Sequence, residues 1–453
     1  MVKRKQFRIG VLLLLLALLG SSCRPAGKAP DNTANSGEDT AHPETETATI
    51  SDEERELEML KSSLNLSGYD PELYITPVWE GNTVYQELFV LYEDADGNTV
   101  IPSFLYRPER IISIRNASLT AEYAQGTDYL LGEDGRLVLP EGSNLPVMPR
   151  TAYVRAEDTT TNPQYPEGGA IRNDRTVVQK YYLSVTYRHA GTFSGRVPEN
   201  RIATLPRTAG KLRNKETLRI TFVGDSITCG FWASGVNTTT VNYYGKQVSI
   251  VGNAAPYAPT YTDQTVGQLR RAYGYEDIIA TNVAVGGTST GRLPNDTRAE
   301  EQIAEGAPST DLFDRVRASE PDLIVCAYGG MNEYWSPAKQ YGERITDLLT
   351  RLHEENPDAE FCLVSSMYPN MLAYSWGNNN LAAFEDELIR IAESFDAAPV
   401  AVATVNGLCK AGLDAGKSPL DFVTDNQNHP NDFTIRLYAQ AICKTLGALE
   451  NFS

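Results

Sequence analysis

The sequence predicts an α/β fold, a parallel sheet covered by helices, preceded by a β-sandwich of jelly-roll type. Three observations predict it. After about residue 215, short apolar runs alternate with helical segments, which implies parallel strands joined by crossover helices. Between about residues 72 and 195, β-branched and aromatic runs are instead separated by turn signals. A chain of 453 residues also exceeds one ordinary domain.

The elements follow in order. Lys3, Arg4, Lys5 and Arg8 precede an apolar run, Ile9 to Leu19, too short to span a bilayer as a resident helix. Small residues then lead into Cys23. Residues 1–23 resemble a bacterial lipoprotein signal in which Cys23 becomes the lipidated terminus, although Gly20 stands where a leucine is usual. Plain secretion with cleavage near Ser22 is the alternative, and export is expected either way, to the cell surface or the medium. Residues 24–50, rich in Pro, Ala, Asn, Thr and Glu, read as a disordered linker. Ser51-Asp52-Glu53-Glu54 can start a short helix through Leu60, its acids at the positive end of the dipole.

Residues 51–210 form the expected β-sandwich, with strands at Tyr85–Tyr92, Ile111–Arg115 and Tyr181–Arg188 and turns at Asp96-Gly97 and Asp134-Gly135. Residues 211–453 form the expected α/β domain. Its strands are Leu218–Val223, Ile278–Val283, Asp322–Tyr328, Phe361–Ser365 and Pro399–Val405. Its helices lie around Val266–Tyr273, Leu312–Ser319, Ala338–Glu355, Leu381–Phe395 and Phe433–Leu449. In such sheets ligands bind beyond the carboxyl ends of the strands, so chemistry is expected just after each apolar run.

Each of the first three strand ends carries a suggestive string. The first runs into Gly224-Asp225-Ser226-Ile227-Thr228, where a serine in a tight turn can act as a nucleophile or cap a helix. The second runs into Asn282-Val283-Ala284-Val285-Gly286-Gly287, whose glycines allow close backbone approach. The third ends Gly330-Met331-Asn332-Glu333, with an amide able to donate to an oxyanion or to cap a turn. His429, one of four histidines, follows the last strand. Serine first and histidine last fits a Ser–His hydrolase, without the G-x-S-x-G elbow.

Together these four ordered strings resemble the SGNH (GDSL-type) hydrolase superfamily over roughly residues 215–450. The resemblance implies a flavodoxin-like three-layer domain, Ser226 as nucleophile and His429 as base. It also implies an oxyanion hole from Ser226, Gly287 (with Gly286 as the other register) and Asn332. A β-rich segment followed by such a domain also resembles the family-two carbohydrate esterases, which remove acetyl groups from polysaccharides. The last block normally reads D-x-x-H, and three residues before His429 stands Asn426, with Asp425 one place further. The support of His429 is therefore expected from Asp425, if the loop bulges, or from Asn426 or a backbone carbonyl in a dyad.

Trp232, Trp335 and Trp376 follow sheet ends, where a sugar can stack on them; core packing is the competing reading. His353-Glu354-Glu355 lacks the second histidine of a zinc helix, and Gly416-Lys417-Ser418 lacks the glycine spacing of a phosphate loop. No metal and no cofactor are expected. The formal charge of −18 argues against nucleic acid as a partner. The expected substrate is an acetylated polysaccharide or another small ester, with membrane contact only through a lipid on Cys23. An acyltransferase acting on envelope glycans and a non-catalytic glycan-binding surface protein are the alternatives.

Overall fold

The β-rich segment is built around the long strand β1 (Thr83–Glu93), with β2 (Thr99–Val100), β3 (Arg110–Asn116) and β4 (Glu122–Tyr123) following in the chain. Strands β5 (Leu130–Leu131) and β6 (Leu137–Val138) pair as a small ribbon. After β7 (Val147–Met148), a second ribbon joins β8 (Val154–Arg155) to β9 (Ala170–Ile171), and β10 (Tyr182–Arg188) returns to the main sheet. That sheet has six strands, ordered β2-β1-β10-β3-β4 with β7 against β1. The computed structural model describes residues 52–173, 175–236, 254–293, 311–330, 332–333, 335–373 and 381–449. The signal-like segment with Cys23, the linker to residue 50 and Trp376 lie outside them.

A sandwich requires a second sheet facing the first. Among the described residues β1 instead meets the 3-10 turn Pro419–Phe422 and the helix Asp432–Thr445, both from the C-terminal half. The register of β1 explains part of this. A bulge between Val84 and Glu87, with Gln86 at φ +45°, breaks the alternation and turns Glu87 inward. There the carboxylate accepts from the Tyr187 hydroxyl at 2.6 Å and from the Leu105 N–H at 3.0 Å, and it pairs with the Lys417 ammonium. Lys417 and Glu87 are fully buried, with the Asp421 carboxylate 3.7 Å from the same ammonium.

Burial pushes Asp421 up to about 7 against the attraction of Lys417. The string that superficially matched a phosphate loop is thus a structural cation stitching β1 to the segment before His429. Lys417→Ala strands two buried acids and is expected to destabilise the fold by about 3–5 kcal/mol. A urea midpoint unchanged from wild type would contradict that role.

Five parallel strands make the second sheet: β11 (Leu218–Gly224), β12 (Ile278–Asn282), β13 (Leu323–Ala327), β14 (Glu360–Val364) and β15 (Val400–Ala403). Their order is β12-β11-β13-β14-β15, the doubly wound 2-1-3-4-5 pattern. The central strands are apolar on both sides, β14 being buried along its whole length, because helices cover both faces. One helical group comprises Tyr261–Tyr273 and Asp432–Thr445; another comprises Leu312–Ala318, Ala338–Glu355 and Leu381–Ser394.

A single apolar cluster runs from Phe89 and Tyr187 of the first sheet to Phe222 and Phe361 of the second. Ser51–Ser453 accordingly forms one compact unit, whose core is continuous across the sequence boundary at residue 210. The five described cysteines are buried, and no disulfide joins any of them. Among the described residues no helix is long and apolar enough to cross a membrane.

Candidate active site

Strand β11 lies between β12 and β13, the point where the winding direction of the sheet reverses and a crevice opens beyond the strand ends. Ser226 stands two residues past β11. No helix follows it directly; residues 226–232 run through turns, so the serine is not an ordinary helix cap. Asp225 folds the turn by accepting the Ile227 N–H on its side chain at 3.0 Å and the Cys229 N–H on its carbonyl at 3.0 Å. Gly224 is required there, because a Cβ would collide with the Thr228 side chain. Asn282, at the end of β12, braces the same turn by donating to the Thr228 carbonyl at 2.7 Å.

The stretch Thr424 to Pro430 closes on itself. The Thr424 N–H donates to the His429 carbonyl at 2.8 Å, and Val423 bridges Pro430. Asn431 then caps the helix Asp432–Thr445 by accepting the Thr434 N–H at 3.0 Å. This hairpin presents His429 with its Nε2 2.9 Å from Ser226 Oγ and its Nδ1 2.5 Å from Asp425 Oδ2. The other oxygen of Asp425 accepts the backbone N–H groups of Gln427, Asn428 and His429 at 2.9, 3.0 and 3.2 Å.

Burial alone would raise the Asp425 pKa. The facing His429 and these N–H groups overcome it and hold the carboxyl below its usual range. The acid is therefore ionised at neutral pH, oriented, and in line with the imidazole and the serine.

Asp425 and Asn426 were both candidates to support the base, and the geometry separates them. Asn426 does not face His429. It is the extra residue of the D-x-x-x-H spacing, taken up in a left-handed conformation at φ +63°. Its side chain points away, into contacts with Tyr153, Tyr165, Arg172 and Asn370. A dyad resting on an Asn426 or backbone carbonyl is thus replaced by a complete Ser–His–Asp arrangement.

Gly287 lies beyond β12 in a tight turn at φ +78°, a conformation suited to glycine, where the Thr288 hydroxyl bonds the Val285 carbonyl at 2.8 Å. The Val285 N–H bonds the Gly224 carbonyl at 3.2 Å, so this turn runs beside that of the serine. Asn332 reaches in from beyond β13, its Nδ2 3.4 Å from Asp225 Oδ2. An amide nitrogen carries two hydrogens, so one donor remains for an oxyanion.

Beneath it lie two buried acids that the sequence analysis did not single out as site residues. Burial pushes Asp225 up to about 6, the nearby Glu333 adding to the effect and the Ile227 N–H, His429 and Asn332 opposing it. Burial likewise raises Glu333, against hydrogen bonds from Thr290 and the charge of Arg344, which lies 3.0 Å away. Asn332→Ala is expected to lower kcat by about a hundred- to thousand-fold with little change in KM. Steady-state kinetics on an acetyl ester would check it.

Aromatic groups flank the base. The Phe231 ring lies 6.0 Å from the His429 ring, and Trp232, at φ +71°, lies 6.3 Å from it. Phe231 was not anticipated; its position directly before Trp232 was the only signal. Trp335 is 68% exposed, three residues past Asn332. Trp376 lies outside the described residues.

Residues 222–433 match the GDSL-like Lipase/Acylhydrolase family. Among curated proteins none matches the chain. Among solved structures, a two-domain esterase active on acetylated mannans, co-crystallised with mannopentaose, is 19% identical, with a TM-score of 0.38. That match covers 56% of each chain, so this chain spans little more than half of that structure. A catalytic mutant of an acetylxylan esterase from Geobacillus stearothermophilus is 18% identical over 51% of this chain and 94% of that one, at a TM-score of 0.36. A carbohydrate esterase family 2 enzyme plus carbohydrate binding domain from Corynascus thermopiles (Myceliophthora fergusii) is 13% identical over 81% and 92%, at 0.35.

The stretch that matches the family contains Ser226, Gly287, Asn332 and His429. Over residues 222–433, just under half of its length, the chain is similar to the GDSL-like Lipase/Acylhydrolase family.

Proposed function

We propose that this protein is a serine esterase that removes O-acetyl groups from carbohydrate through an acyl-enzyme. The observation that carries the proposal is the continuous chain from Asp425 Oδ2 to His429 Nδ1 at 2.5 Å and from His429 Nε2 to Ser226 Oγ at 2.9 Å. It lies at the crevice where doubly wound sheets bind ligands.

In the first half-reaction His429 Nε2 takes the Ser226 proton while Oγ bonds to the ester carbonyl carbon. The N–H groups of Ser226 and Gly287 and the Asn332 amide receive the negative oxygen. His429 then returns the proton to the departing sugar oxygen as the carbon–oxygen bond breaks, leaving acetyl on Ser226. In the second half-reaction His429 deprotonates a water, which adds to the acyl carbon. Collapse of that intermediate returns the proton to Ser226 and releases acetate. Asp425 holds the imidazole in the tautomer that makes both transfers possible and stabilises its cationic form.

The sugar half of the proposal is supported by Phe231 and Trp232 beside the base, by the exposed Trp335, and by the sequence resemblance to family-two carbohydrate esterases. Export, with lipid attachment at Cys23, belongs to the same proposal and is supported by the basic and apolar N-terminal pattern. Acetate release from a panel of acetylated polysaccharides, compared with acetyl transfer to an added sugar, tests it. Acetate release that outruns transfer is the expected result. Transfer that outruns hydrolysis would make the enzyme an acyltransferase instead.

A further inference from the structure

We propose that Asn426 is a positioning residue that sets the catalytic acid by anchoring its loop to the β-rich segment; the inference rests on the esterase reading above. Asn426 is 1% exposed, and its amide is used on both sides. Nδ2 donates to the carbonyls of Tyr153 at 2.7 Å and Arg172 at 3.1 Å. Oδ1 accepts from the Tyr165 hydroxyl at 3.1 Å and from Asn370 Nδ2 at 2.9 Å. The Asn370 amide also reaches the Asn426 carbonyl at 2.9 Å and the Tyr165 oxygen at 3.0 Å. One residue on, the Asn370 N–H donates to the Gln427 carbonyl at 2.7 Å, and Asn173 donates to the Gln427 side chain.

The chemistry of the position selects asparagine. A buried and a half-buried carbonyl need donors, and a hydroxyl and an amide need an acceptor, at a left-handed residue with a short side chain. Aspartate would face both carbonyls with oxygen. Alanine would leave them unmatched and would strain at φ +63°.

Asp425 spends one oxygen on the N–H groups of Gln427, Asn428 and His429, so residues 425–429 hold together and move as a body. At the far end, the loop is tied to the helix cap at Asn431. At the near end, the neighbour of Asp425 is held by Tyr153, Tyr165 and Arg172 of the β-rich segment together with Asn370, which follows β14. Ser226 stands on a different element, the β11 turn. The 2.9 Å between Ser226 Oγ and His429 Nε2 therefore depends on where that anchor places the loop. On this account the β-rich segment is a structural part of the active site, whatever else it binds.

The test is Asn426→Gly, which keeps the backbone conformation accessible and removes the side-chain anchor. The expected result is a loss in kcat of about a hundredfold, the scale of a displacement near 1 Å, with KM within about twofold of wild type. Two readouts separate positioning from mere packing. Combined with Asp425→Asn, the variant should lose no more than Asp425→Asn alone, because both act through the same imidazole. The low-field proton resonance of His429 Nδ1–H, identified by its absence in Asp425→Ala, should weaken or vanish in Asn426→Gly.

Tyr165→Phe, which deletes one hydroxyl of the anchor, serves if the glycine variant does not fold, with a smaller loss in the same direction. Wild-type kcat and an intact resonance in these variants would overturn the proposal, as would a loss that multiplies on top of Asp425→Asn. A wild-type protein that turns over no acetyl ester would instead sink the esterase reading, and the resonance would still decide the anchor.

Discussion

Ser226→Ala is expected to lower acetyl-ester hydrolysis by roughly a millionfold, the scale seen when the nucleophile of a serine hydrolase is removed. The size of the effect follows from the mechanism. Among the described residues of the β11 turn, Ser226 supplies the hydroxyl bonded to His429 Nε2, at 2.9 Å. Residual rate would come from the oxyanion donors alone, acting on water. The substitution should leave stability almost unchanged, because the Ser226 hydroxyl bonds His429 while the turn itself is held by Asp225 and Asn282. Acetate release and a thermal melt on the same preparation check both halves. Turnover near wild type in a folded variant would show that another group performs the attack.

Asp425→Asn should cost about ten-thousandfold in kcat while the fold persists. The amide oxygen can keep accepting the N–H groups of Gln427, Asn428 and His429, so the loop retains its shape. The other atom becomes an N–H that faces His429 Nδ1 and favours the wrong tautomer. Asp425→Ala is the harsher variant, since it leaves those backbone donors unpaired at about 1–3 kcal/mol for a buried group.

The pH dependence of stability has a definite sign. The Asp425 carboxyl is held below its unfolded value, so its contribution is fully present above the ordinary carboxylate range. It is lost only as pH falls through the folded pKa. Wild-type and Asp425→Ala proteins should therefore differ in stability at neutral pH and converge in acid. Near-normal kcat in Asp425→Asn would return the base to a dyad supported by a carbonyl.

Much of this site was legible because parallel strands advertise themselves. The runs ending at Val223, Val283 and Tyr328 are rich in apolar and β-branched residues, and the strings at their ends fall where the sheet order opens a crevice. The helices Ala338–Glu355 and Leu381–Ser394 were read from their apolar stripes within a residue or so. The helix Tyr261–Tyr273 begins five residues earlier than its periodicity suggested, because its first turn, capped by Thr260, carries polar residues that the fold buries.

Two features left no local trace. The bulge at Gln86 reverses the side that Glu87 faces, and alternation alone cannot show an extra residue. The contacts of Asn426 join residues more than 250 positions apart, and the acid looked misplaced because a linear spacing contains no left-handed residue. The sandwich expectation failed to anticipate the C-terminal helix and turn packed on β1 for the same reason: their covering surface comes from the other end of the chain.

The measurement that decides the mechanism is labelling of the folded protein with a serine-directed phosphonate, followed by peptide mass mapping. One adduct per chain on Ser226, lost in His429→Ala because the hydroxyl is no longer activated, is the predicted result. A folded protein that takes up no phosphonate, or that carries it on another residue, would contradict the Ser226–His429–Asp425 assignment.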